Sequence, residues 1–391
     1  MKFETYPFEK LTNLLEEITP NSSLEPIVLT IGEPQFETPT FIAKAFCSNA
    51  DLLKKYPKTA GEQGLRDAIL GFIKYRFCVE LDNLQLIPTF GTREVLFNFP
   101  QFLLGAKNNP KIAFTNPFYQ IYEGAVIASG AEVLYLNLTK ENGFLPDMDE
   151  TQLANCDLVI LNFPNNPTAS VMDIKTMVKW VKLAIKHNFV LLNDECYSEI
   201  YTKTPPPSLL QASLQADNPT FKNVLVVNSI SKRSSAPGLR SGFIAGDDRI
   251  LKEYMRYRTY VGCASPLPLQ MAATMAWRDN EHAVAFCKKY QENFKIANEV
   301  LGVKIPEATF YIWLEVEDEF EFTKRLYEHY NVKVLPGSFL GRKGVGEGFV
   351  RIALVENANQ TLEAMKRIKT FLKTTCNFKY HKQPKDTLKT V

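Results

Sequence analysis

Long apolar runs are missing from this sequence: none approaches the roughly 18 to 20 residues that a membrane-crossing helix needs. The first residues, Met1-Lys2-Phe3-Glu4-Thr5-Tyr6-Pro7, lack the apolar core of a secretory leader. The cysteines, seven in number and scattered from Cys47 to Cys376, form no CxxC pair. That fits free thiols in a reducing cytosol and a cytoplasmic protein. The four histidines lie far apart, which argues against a zinc site. An excess of one charge is missing too: the formal net charge is +2, so nothing marks a nucleic-acid or membrane-surface partner. No GxGxxG turn follows an early strand, which sets aside a nicotinamide dehydrogenase. Internal repeats and low-complexity tracts are also lacking.

What is present is an ordinary globular composition, 45% hydrophobic and 23% charged, over 391 residues. At about 150 residues per domain, that length implies roughly two domains. Strand-like runs recur at Leu84–Ile87, Lys111–Phe114, Glu132–Leu136, Leu158–Leu161, Val190–Asn193 and Val224–Asn228. Amphipathic stretches lie between them, at Arg93–Leu104, Tyr119–Ala128 and Ile174–His187. Such alternation predicts an α/β domain, a mostly parallel sheet with helices on both faces, whose chemistry sits at the carboxyl ends of the strands. After about Asp247 the pattern becomes α+β. It has helix over Arg249–Val261, a break at Ser265–Pro268, and more helix to Leu301. Strands follow at Phe310–Val316, Val332–Leu335 and Phe349–Leu354, with helices at Phe320–Tyr330 and Ala358–Leu372. The expected division is a segment 1–45 that joins the smaller domain, a large domain 46–270, the rest of the small domain 271–373, and a basic, disordered tail 374–391.

The segment Asn228-Ser229-Ile230-Ser231-Lys232 closes a buried strand and is followed by Gly238-Leu239-Arg240-Ser241-Gly242. A strand-end lysine of this kind can lose its proton and form a Schiff base with an aldehyde. Neighbouring hydroxyls and an arginine can hold a phosphate. Together these parts describe a site for pyridoxal phosphate, although a surface lysine after a strand has the same local signature. Asp194, at another strand end, can pair with a pyridine nitrogen, and Tyr197 can reach a phenolic oxygen; Asp194 can equally cap a helix. The turn Asn162–Thr168 presents side-chain amides, of which Asn166 is one, or is simply a turn. Gly91-Thr92-Arg93 opens a helix where an anion can sit. Tyr119 can stack on a flat ring or pack in the core. Arg351 lies inside an apolar alternating strand, where its fork suits a carboxylate, unless Glu347 or Glu356 pairs with it.

Taken in order, these segments resemble the fold-type I, pyridoxal-phosphate-dependent aminotransferases, from Ile31-Gly32-Glu33-Pro34 to Arg351. Lys55-Tyr56-Pro57, Gly64-Leu65-Arg66 and Pro164-Asn165-Asn166-Pro167-Thr168 belong to the same set of motifs. The resemblance implies a seven-stranded sheet sandwiched by helices and a smaller α+β domain. It implies that Lys232 forms the Schiff base and shuttles the proton, and that Asp194 pairs with the ring nitrogen. Asn166 and Tyr197 would contact the phenolic oxygen and Tyr119 would stack on the ring. Thr92 and Arg93, through backbone amides, would hold the phosphate together with Ser229, Ser231 and Arg240. Arg351 would take the substrate α-carboxylate beneath a loop carrying Gly32, and Tyr56 would reach the phosphate of a partner subunit in a homodimer. One departure is Ala169, where the family usually has glycine.

Within the family, Lys232–Gly242, Thr309–Leu314 and Val334–Gly341 look most like N-succinyl-diaminopimelate aminotransferases, which use glutamate and a succinylated keto acid. Arg233, Arg342 and Lys343 are then candidates to read the extra carboxylates. Other aminotransferase substrates, or C–S lyase and decarboxylase chemistry on the same cofactor shell, remain open from sequence. A non-catalytic regulator of this fold usually carries an N-terminal DNA-binding module, and none is evident here.

Overall fold

The computed structural model describes residues 2–374, so the expectation of a disordered tail lies outside the described residues apart from Thr374. Among the described residues there are twelve strands: β1 Ile27–Val28, β2 Leu86–Thr89, β3 Lys111–Asn116, β4 Glu132–Asn137, β5 Leu158–Leu161, β6 Val190–Asp194, β7 Val224–Ser229, β8 Gly242–Gly246, β9 Tyr311–Glu315, β10 Val332–Lys333, β11 Leu335–Pro336 and β12 Phe349–Ala353. Seven of them form one sheet in the order β2-β8-β7-β6-β5-β3-β4. β3 to β7 pair in parallel with their neighbours, while β8 runs antiparallel between β2 and β7. The central strands are continuous apolar runs buried along their length, as a sheet covered on both faces requires.

One core lies on each face. Trp180, Phe72 and Trp277 lie in one, and Phe99, Phe114 and Tyr254 in the other. A third core joins Ile27 and Leu29 to the C-terminal strands and helices. There β9, β12 and β11 make an antiparallel sheet, and β1 pairs in parallel with β10.

The structure corrects several boundaries. Gly242–Gly246 is a strand that the sequence concealed, because two of its five residues are glycine. The expected strand Leu84–Ile87 starts at Leu86, since Asp82 and Gln85 close a capping box around a short 3₁₀ turn. The single strand Val332–Leu335 is two, β10 and β11, each in a different sheet. Asp194 caps no helix: it closes β6, and its Oδ1 accepts from the Cys196 amide at 3.2 Å.

Candidate active site

Strand ends and one helix start surround a cavity of about 1110 Å³. Every residue expected to hold the cofactor or the substrate α-carboxylate lines it except Tyr56, which is fully exposed elsewhere. Lys232 sits on a single helical turn, Ile230–Arg233, directly after β7. Its Nζ donates to the carbonyl of Gly32. Burial pulls its pKa from the usual 10.5 down to about 8.

Asp194 is buried at the end of β6, and Tyr122 donates to its Oδ2 at 2.9 Å. Burial raises its pKa, opposed by the hydrogen bonds from Cys196 and Tyr122. A cationic N–H donor in the cavity would relieve that penalty. Tyr122 escaped the sequence reading, although it lies one helical turn after Tyr119 and the two rings meet edge to face at 5.9 Å. Tyr119 accepts from Arg93 Nε at 2.8 Å.

One end of the cavity is built from backbone and hydroxyls. Gly91, at φ 75°, precedes the helix Thr92–Leu104, whose start carries no side-chain cap. Its first N–H groups are therefore free to meet an anion. At that φ any other residue is strained, and a Cβ on Gly91 would lie 2.2 Å from Arg240 Nη2 and push that side chain aside. Arg240 donates to the carbonyls of Pro237 (2.9 Å) and Phe90 (3.3 Å). Ser229 and Ser231 line the same end. Cys196, to which the sequence reading gave no role, has its Sγ 3.3 Å from Thr92 Oγ1 and 3.5 Å from Ser229 Oγ, and burial pushes its thiol pKa far up.

Opposite lies the second cation. Arg351 on β12 is 4% exposed, donates Nη1 to Asn166 Oδ1 at 2.8 Å and Nη2 to the Thr30 carbonyl at 2.6 Å, and leaves Nε without a hydrogen-bond partner among the described residues. Neither Glu347 nor Glu356 pairs with it, so an incoming carboxylate would complete a buried fork. Tyr197 is buried with its Oη 3.0 Å from Tyr311 Oη, and burial raises its pKa well above the usual value. Asn162 fixes Asn166 by accepting from its amide at 2.9 Å and itself donates to the Asp194 carbonyl at 3.0 Å.

Three expected cations do not reach the cavity. Arg233 is buried between Phe72 and Trp277, donating to the Ala276 and Asp279 carbonyls and to Asn280. Arg342 is held by Glu123 and Lys343 lies over the Tyr135 ring. Ala169 adopts φ 60°, so the turn does demand the left-handed region that the family's glycine suits.

The profile of the family "Aminotransferase class I and II" matches residues 25–368. The chain belongs to this family. It is an α/β transaminase dependent on pyridoxal phosphate, and the uncapped helix start, the Gly91 cradle and the buried Asp194 fit that group. An LL-diaminopimelate aminotransferase of Natranaerobius thermophilus is 33% identical, covering 88% of this chain and 91% of its own. Among solved structures, the aminotransferase AspB of Helicobacter pylori is 50% identical with a TM-score of 0.93, covering 95% of this chain and 99% of its own. An aminotransferase of Neisseria meningitidis is 38% identical with a TM-score of 0.90, covering 95% and 98%.

Proposed function

We propose that this transaminase moves an amino group between glutamate and N-succinyl-2-amino-6-ketopimelate, in diaminopimelate and lysine synthesis. The observation that carries the substrate side is the Arg351 fork, whose unpartnered Nε calls for a carboxylate in the cavity that Lys232 lines. Pyridoxal phosphate, when bound, supplies an aldehyde and an electron-withdrawing ring.

The chain's own residues do the rest. The amides of Thr92 and Arg93 would hold the phosphate, with Ser229, Ser231 and Arg240. Asp194 would face the ring nitrogen, and Tyr119 the ring. Asn166 and Tyr197 would meet the phenolic oxygen. Lys232 Nζ takes the α-proton of the bound amino acid and returns it, which its lowered pKa favours near neutral pH. Arg351 and the loop bearing Gly32 orient the α-carboxylate.

Three features support a long, multiply anionic substrate: the cavity of about 1110 Å³, Arg93 facing it on the Tyr119 hydroxyl and, among the described residues, on no carboxylate, and diaminopimelate enzymes among the relatives. Tyr56, being 100% exposed, is free to reach the cavity of a second copy in a homodimer. The test is kcat/KM over a panel of amino donors and keto acids. The succinylated keto acid should exceed the others; a preference for aspartate, alanine or an aromatic amino acid would overturn this substrate. Glutamate alone should convert the bound cofactor to its amine form. Lys232→Ala should abolish both this conversion and turnover.

A further inference from the structure

Tyr311 lies in the segment Thr309–Leu314 but takes no site role from sequence alone, yet it touches three residues that do. It opens β9 and is 2% exposed. Its hydroxyl lies 3.0 Å from that of Tyr197, and the two rings meet at 63° with centroids 5.6 Å apart. The Arg351 guanidinium sits 4.5 Å above its ring centroid. The register explains this contact. Arg351 opposes Trp313, so Tyr311 is its diagonal neighbour on the same face, within reach of an aromatic side chain. Gly32 also abuts Tyr311: a Cβ there would lie 1.9 Å from the Tyr311 hydroxyl.

Two phenols sharing one contact must divide their protons, one donating and the other accepting. The cation over the Tyr311 ring draws electron density from it and makes Tyr311 the better donor. If Tyr311 donates to Tyr197, the Tyr197 proton is left to point into the cavity.

We propose that Tyr311 is a positioning residue with two separable parts. Its hydroxyl donates to Tyr197 and so aims the Tyr197 proton at the cofactor's phenolic oxygen. Its ring seats the Arg351 guanidinium that receives the substrate carboxylate. The inference rests on the roles given above to Tyr197 and Arg351.

Tyr311→Phe and Tyr311→Leu separate the two parts. One readout is the pH midpoint of the visible absorbance of the cofactor-loaded protein. The other is the affinity of the cofactor-free protein for glutarate, a dicarboxylate with no amino group, measured by calorimetry. Tyr311→Phe keeps the ring and loses the hydroxyl. A weaker donor at the anionic oxygen favours the proton-bound form, so the midpoint should rise by about one pH unit, with glutarate affinity unchanged. Tyr311→Leu loses the ring, and glutarate binding should fall by about tenfold.

Two controls separate this inference from the roles beneath it. Tyr197→Phe should raise the midpoint and Arg351→Ala should weaken glutarate binding. Failure of either control overturns the role of that residue and the inference with it. If both controls respond, an unmoved midpoint in Tyr311→Phe or unchanged binding in Tyr311→Leu overturns the inference alone.

Discussion

Burial sets the ammonium of Lys232 against its own charge. The side chain sits at a strand end beneath Gly32, and its pKa falls to about 8. Only the uncharged amine attacks an aldehyde. Uptake of pyridoxal phosphate by the cofactor-free protein should therefore accelerate about tenfold per pH unit up to about pH 8 and level off above it. Stopped-flow absorbance measures this directly, and a flat profile between about pH 6 and 8 would contradict the assigned environment. A second residue-scale prediction concerns Ala169. Its φ of 60° costs an L-residue about 1–2 kcal/mol, offset in part by the extra unfolded-chain entropy that glycine brings, about 0.4–1 kcal/mol. Ala169→Gly should then stabilise the fold by up to about 1 kcal/mol, seen as a higher urea midpoint at unchanged slope. Residue type and strand-end placement made Lys232, Asp194 and Arg240 legible in the sequence. Direction was not legible. Arg233 follows Lys232 directly, but on so short a turn adjacent side chains diverge, and its guanidinium goes into the core instead of the cavity. The roles of Tyr122 and Tyr311 were not legible because the contacts that matter join elements far apart in sequence.

Elements with strong local signals were the legible ones. Ile174–His187 is a helix over the residues its periodicity indicated, because an aspartate caps its start and its apolar positions recur on one face. Asp173 accepts from the Thr176 amide at 2.7 Å, and hydrogen bonding from the Thr176 hydroxyl, then from its amide, holds its carboxyl below its usual pKa. Asp173→Ala should cost about 1 kcal/mol, read as a lower midpoint in chemical denaturation, with kcat unchanged because the cap lies outside the cavity lining. Asp173→Asn should recover most of the loss, since the amide oxygen accepts the same bond. β8 shows the opposite case. Gly242-Phe243-Ile244-Ala245-Gly246 has too little β-branched character to announce a strand, and only pairing on both sides with β2 and β7 makes it one. The split of Val332–Leu335 is likewise decided by partners, β1 for one half and β12 for the other.

At the scale of the whole molecule, the α/β class and the mostly parallel sheet followed from strand–helix alternation, while the position of β8 within the sheet required tertiary pairing. Folding also places a carboxyl where a charge is costly. Glu195 is 1% exposed, and its Oε1 accepts from the Leu209 amide at 2.8 Å and from Asn193 at 3.1 Å. Burial raises its pKa from 4.5 to about 7, the accepted hydrogen bonds opposing the shift. Across that window the folded chain holds a proton that the unfolded chain has released. The stability it contributes is present below the unfolded pKa and is lost as pH rises toward the folded one, by up to about 3 kcal/mol in all. Lys232 acts in the opposite sense at higher pH: between about 8 and 10.5 the unfolded chain binds more protons, so stability recovers as pH rises. Urea unfolding of the cofactor-free protein should therefore give a shallow minimum in stability between these windows. Glu195→Gln keeps an acceptor for the Leu209 amide and removes the titration. The difference in unfolding free energy between the two proteins should shift toward the variant as pH rises from about 4.5 to 7, and a constant difference across that range would show that Glu195 is not held protonated by burial.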